Sequence, residues 1–187
     1  MKISIYFFII GFIFLSCEDS KSTKYFNSGI KESEGLLEND SIKQELWVTW
    51  CEDESIKDSS YWENNLLNGP SISFHANGNK LAKGIYKNGL REGEWKWWSS
   101  NGDLEEKSNW TNGIVDGFSE IYFPTGIIRS EAEYMDGYMN GLLRIYNDKG
   151  QLSEITSYVT GIKEGKATLY YPNGNIEMEG QFKDNKQ

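Results

Sequence analysis

Histidine, cysteine and proline are scarce in this chain: one, two and three residues respectively out of 187. With His75 as the only histidine, a histidine-based triad has a single candidate, which stands beside a turn with no nucleophile marked near it. The two cysteines, Cys17 and Cys51, are too few for a disulfide framework or a cysteine-built zinc site. Cys51 reads as a small apolar residue packed next to Trp50. No phosphate-binding loop, dinucleotide fingerprint or metal-ligand spacing occurs. Acidic pairs such as Glu105-Glu106 and Glu177 with Glu179 exist, but they read as solvated strand residues and not as a glycosidase couple. The sequence therefore points to no enzyme, no cofactor and no metal. Basic charge is also short, at a net −9, which gives no electrostatic footprint for nucleic acid.

Long hydrophobic runs are missing as well. The longest, residues 3–15, follows Lys2 and ends at Ser16-Cys17. It falls short of the roughly 20 apolar residues of a membrane span and suits the apolar region of a signal peptide. Phe14-Leu15-Ser16-Cys17 resembles the lipobox of bacterial lipoproteins, with Phe14 where leucine is usual. The resemblance implies a signal peptide over 1–16 and a lipid on Cys17 as the mature N-terminus. Glu18-Asp19 resembles the export tags of lipoproteins shown on the outer surface, so the expected place is the cell envelope, anchored to the outer membrane, with surface display left open.

Charge is unevenly spread. Residues 18–67 carry 5 Lys/Arg against 12 Asp/Glu, and residues 68–187 carry 13 against 16. Membrane attachment must then come from the lipid and not from a basic patch. Residues 17–43 read as the lipidated cysteine followed by an acidic flexible tether.

The remainder is a repeat. From Asn68 to Gln187 the chain divides into five units of 24 residues without insertion or deletion. Glycine holds the second position (Gly69, Gly93, Gly117, Gly141, Gly165) and the eleventh (Gly78, Gly102, Gly126, Gly150, Gly174). The twenty-second is glycine in four units and Asn185 in the last. Pairs such as Asn77-Gly78 and Asp136-Gly137 between alternating segments signal hairpins, so each unit reads as strand, turn, strand, turn. The nineteenth position is aromatic (Tyr86, Trp110, Tyr134, Tyr158, Phe182), and two residues earlier the side chain is small. Two-residue periodicity puts these on one strand face, together with the aliphatic thirteenth position. A second aromatic column stands at the seventh (Phe74, Trp98, Tyr122, Tyr146, Tyr170).

Tyr122-Phe123-Pro124-Thr125-Gly126 and Tyr170-Tyr171-Pro172-Asn173-Gly174 carry a pattern that is similar to MORN repeats, in the bacterial variant of the YwqK-type antitoxin-like family. The resemblance implies an all-β, elongated, single-layer antiparallel meander of hairpins with a binding or scaffolding role. On the same register residues 44–67 form a degenerate repeat or N-terminal cap, in which Trp47, Trp50 and Trp62 meet Trp95, Trp98 and Trp110.

Trp95, Trp97, Ile121, Ile145 and Leu169 lie opposite the seventh column. With the aromatic columns assigned to one sheet face, this stripe falls on the other and needs a cover. The expected covers are a protein partner or the N-terminal segment, through Leu36, Leu37 and Leu46. The functional expectation is a non-catalytic protein-binding or scaffolding module at the cell envelope, with neutralisation of a specific toxin as the alternative. The edge of the last strand is also open to pairing into a homodimer.

Overall fold

A computed structural model describes residues 19–186, all β with intervening turns. The strands are β1 (Asp19–Tyr25), β2 (Lys31–Glu38), β3 (Ile42–Trp50), β4 (Ile56–Glu63), β5 (Leu66–Phe74), β6 (Lys80–Lys87) and β7 (Leu90–Trp98). They continue as β8 (Leu104–Thr111), β9 (Ile114–Tyr122), β10 (Ile128–Met135), β11 (Tyr138–Tyr146), β12 (Leu152–Val159), β13 (Ile162–Tyr170) and β14 (Ile176–Phe182). All 14 form one antiparallel sheet whose order follows the chain.

Two kinds of turn produce this meander. The tight one takes positive φ at both central residues, as at Asn88 (50°) and Gly89 (81°), the type I′ geometry that matches strand twist. Its residues are held from the side. The first position of the unit accepts from the twenty-first backbone N–H: Asn88 donates to Asn68 Oδ1 at 3.2 Å, Asn112 to Glu92 Oε2 at 3.0 Å and Thr160 to Asn140 Oδ1 at 3.2 Å. The wider turn closes with paired backbone bonds, such as Ser99 N–H to Asp103 O and Gly102 N–H to Ser99 O, both 2.9 Å.

The N-terminal boundaries need correction. Residues 19–43, expected as a flexible tether, are ordered into β1, β2 and the start of β3. The β1–β2 turn reproduces the wide turn of the later units, with Phe26 N–H donating to Ile30 O at 2.8 Å and Gly29 N–H to Phe26 O at 2.9 Å. This unit escapes a strict 24-residue frame because Glu38 pairs with Ile42, leaving three residues in a turn where Lys87 and Leu90 leave two. Residues 44–67 follow it inside the sheet and are not its first element. There Glu45 (φ 56°), Glu54 (68°) and Asn65 (64°) keep the backbone that the other units assign to glycine. Leu36, Leu37 and Leu46 are strand residues of this same layer and do not fold over a face. Residues 1–16 and Cys17 lie outside the described residues.

Directly paired residues share a face. Trp95 pairs with Ser108, Trp97 with Glu106 and Gly93 with Trp110, so Trp95, Trp97 and the nineteenth-position column lie together on what we term face A. Trp98 pairs with Leu104 across a register shift and belongs with the seventh column on face B. The two aromatic columns are therefore split between the faces. The inserted bulge residue, Glu105 in β8, also moves the thirteenth position out of alternation with the seventeenth.

The interior is a line on face A and not a layer, with Thr168 buried on face B beside it. It runs across the strands on face A through Gly35, Trp47, Ser60, Gly84, Trp95, Ser108, Ala132 and Thr156, all buried. The two indoles on it each lie over a glycine, Trp47 over Gly35 and Trp95 over Gly84, while Ser60 faces Ser71, Ser108 faces Ser119, Ala132 faces Leu143 and Thr156 faces Ala167.

Candidate interaction surfaces

Face A is richest around β6–β8. The Trp95 indole N–H donates to Ile85 O at 3.0 Å, its ring meets Tyr86 edge-on at 4.8 Å and stacks on Trp97 at 5.8 Å, and Trp97 lies 6.0 Å from Trp110. The Arg91 guanidinium sits 5.0, 5.3 and 4.7 Å from the rings of Trp95, Trp97 and Trp110, a cation held over electron-rich faces.

The residues expected to bind a partner do assemble in rows on this face. Trp97, Ile121, Ile145 and Leu169 form one row, separated by Glu106, Ser130 and Glu154 on the intervening strands. They share the face with the nineteenth-position aromatics, contrary to the expected separation. Trp95 belongs to the buried line, at 3% exposure, so its ring already has its cover within the chain.

A second surface escaped the sequence reading. Leu66, Leu90, Ile114, Tyr138 and Ile162 open the first strand of successive units, at the tight-turn margin of face B. They are between 41% and 57% exposed, and four of the five approach the glycine of the next tight turn: Leu66 at Gly89, Leu90 at Gly113, Ile114 at Gly137 and Tyr138 at Gly161. Met135 and Val159, the cross-strand partners of Tyr138 and Ile162, widen the ladder and are exposed too. Its signal was available as an apolar residue recurring every 24 positions. With strands about 4.8 Å apart, its rungs repeat at roughly 10 Å.

The middle of face B is charged and internally paired. Lys107 meets Glu120 at 2.6 Å, Arg144 meets Glu131 at 3.3 Å and Lys166 meets Glu179 at 2.5 Å. Tyr122 donates to Glu120 at 2.7 Å. Burial first, and the Glu120 carboxylate second, push the Tyr122 hydroxyl up to about 12. For Glu120 burial works upward, but hydrogen bonds from Lys107 and Tyr122 outweigh it and leave the pKa lowered. These neighbours satisfy one another and leave no reactive group poised.

His75 lies in the wide β5–β6 turn, where its Nε2 bonds the Trp98 carbonyl at 2.8 Å and ties one turn to the next. Cys51 is a free, half-buried thiol in the β3–β4 turn, with its N–H donating to Ser55 O at 2.9 Å. Glu106 accepts from Ser108 at 2.9 Å, while Glu105, Glu177 and Glu179 are exposed. Among the described residues no His, Cys, Asp and Glu side chains cluster in a metal-binding arrangement. No helix among them is long and apolar enough to cross a membrane.

Three segments, residues 67–88, 91–112 and 163–184, match the family model of the MORN repeat variant. They fall on β5–β6, β7–β8 and β13–β14, with the hairpin as the matched unit. MORN repeats are generally non-catalytic modules that bind proteins or membranes. No curated protein matches the chain significantly.

Proposed function

We propose that this array of MORN-variant repeats is a non-catalytic, protein-binding or scaffolding lipoprotein of the bacterial cell envelope, tethered by a lipid on Cys17. The observation that carries the reading is the ladder Leu66, Leu90, Ile114, Tyr138 and Ile162, exposed at one rung per repeat. A contiguous exposed apolar strip on a folded chain marks an interaction site, and its regular spacing suits a partner that lies along several repeats. The alternating row of Trp97, Ile121, Ile145 and Leu169 on face A is the second docking candidate. Lipidation is supported by the position of Cys17 directly after the apolar run.

Capture from native envelopes tests the assignment. Leu90→Ser with Ile114→Ser and Tyr138→Ser should lower recovery of the partner at least tenfold, as removal of anchors each worth more than about 1 kcal/mol requires. Equal loss from Trp97→Ala with Ile121→Ser alone would move the docking site to face A. Recovery of one toxin and no envelope protein would replace scaffolding by neutralisation. Fatty-acid labelling that persists in Cys17→Ser would remove the lipid anchor from the proposal.

A further inference from the structure

The pairing of charges on face B stops at β6. Lys83, Lys96 and Lys107 stand directly opposite one another on β6, β7 and β8, and like charges set opposite in this way cost stability. Lys107 has Glu120, and Lys96 has the exposed Glu94 of its own strand at 2.8 Å. Lys83 and Lys80, both exposed, meet no carboxylate among the described residues, although the chain as a whole carries a net −9. Lys80 lies instead 5.7 Å from the Trp98 ring. Both lysines line one groove of about 540 Å³ on face B, in which Trp98, Ile85 and Pro70 supply the apolar surface. That volume lies within the usual range of roughly 300–1,000 Å³ for binding pockets, and Ile85 is 50% exposed in it.

The spacing along β6 is regular. Lys80 pairs with Phe74 and Lys83 with Ile72, because the bulge at Leu81 absorbs one residue. The two lysines are therefore two β5 residues apart along the strand, about 7 Å. From Lys83 to Ile85, which pairs with Pro70, is a second step of two residues. We propose that this groove receives an extended segment of a partner protein, laid over face B along β6, with acidic residues at two alternate positions and an apolar residue two further on. An extended chain turns alternate side chains to one side at the same interval of about 7 Å. The first carboxylate meets Lys80 beside Trp98, the second meets Lys83 and Lys96, and the apolar side chain packs on Ile85 and Pro70. Glu94 stands on β7 where Pro70 stands on β5 and disfavours a third carboxylate there. A single phosphate spans only one of these steps. A flat anionic membrane gains little, because beyond β8 face B carries Glu120, Glu131 and Glu179, each already matched by its own cation. This inference rests on the protein-binding reading and gives the chemistry of one segment of the partner.

The test uses the full chain in detergent micelles and a fluorescent peptide, Ser-Glu-Ser-Glu-Ser-Leu-Ser. The peptide should bind saturably, and its counterpart with glutamine for both glutamates should bind at least tenfold more weakly. Lys80→Gln with Lys83→Gln should weaken the parent peptide at least tenfold without lowering the melting temperature, since the change removes a like-charge contact with Lys96. Lys149→Gln, on an exposed wide turn, should leave binding unchanged. No saturable binding below about 1 mM, equal affinity of the two peptides, full binding to the double variant, or an equal loss from Lys149→Gln would overturn the proposal. So would vesicles of phosphatidylcholine and phosphatidylglycerol that bind the parent and not the double variant while the peptide fails to bind, by assigning the lysines to a lipid surface. If the peptide fails while capture from envelopes still depends on the ladder, the acidic segment falls and the protein-binding reading stands.

Discussion

At the residue scale, the fold depends on a few positions where side-chain bulk or backbone sign admits little choice. Thr160 occupies the first place of a tight turn at φ 50°, where the equivalent residues are Asn88, Asn112 and Asp136. A β-branched residue is strained in the left-handed region, which disfavours ordinary L-residues by about 1–2 kcal/mol. Thr160→Asn should therefore raise stability by about 1 kcal/mol in chemical denaturation, and an unchanged midpoint would show that the turn is not strained. Gly84 presents the opposite constraint, since Trp95 occupies the space of its missing side chain. Gly84→Ser should destabilise by roughly 1–3 kcal/mol through overpacking. In a Trp95→Ser background the same change should have almost no effect, because the pair then reproduces Ser108 facing Ser119.

At the element scale, the N-terminal hairpin is held to its place by charge as well as by main-chain pairing. Glu34 on β2 meets Lys21 at 2.9 Å and Lys31 at 2.7 Å. Hydrogen bonds from Lys31 and Lys21 hold its pKa at about 2, below the ordinary 4.5. A carboxylate depressed on folding contributes stability above its unfolded pKa and loses it as the pH falls through the folded value. Protection of the β1–β2 amides against hydrogen exchange should fall as the pH is lowered from about 4.5 towards 2. Glu34→Gln should show lower protection at neutral pH and little further change with acid. If wild type and variant lose protection in parallel, the hairpin does not depend on this cluster.

At the scale of the molecule, each hairpin touches its neighbours in the sheet and little else, so stability should accumulate by units. Deleting residues 118–141 joins Gly117 to Leu142 and recreates the natural Gly141-Leu142 step. Such a chain should stay folded and melt cooperatively. Deleting 118–140 shifts the following strand by one residue and turns its face A side chains to face B, so it should lose the native near-ultraviolet signal of the tryptophans. Equal melts for the two deletions would mean that the sheet tolerates slipped registers. The surfaces proposed for binding are also properties of this scale, since a ladder of single exposed residues becomes a strip only when the units stack.

The 24-residue columns determined much by themselves: the hairpin as the unit, the turn glycines, the all-β class and the aromatic positions. Those features are local, set by φ preference and by alternation along one strand. Which strands share a face was not local, because cross-strand register and the bulge at residues such as Glu105 decide it. That is why alternation alone places Trp95 and Trp97 away from Trp110, whereas the sheet puts all three on one face with Trp97 6.0 Å from Trp110. The hairpin of β1 and β2 stayed hidden behind a single extra turn residue, which breaks a strict period but leaves the hydrogen-bonded geometry intact. Only the stacked sheet could show that Trp95 is core and that Leu90 and Ile114 face solvent, because burial depends on what the neighbouring strand brings.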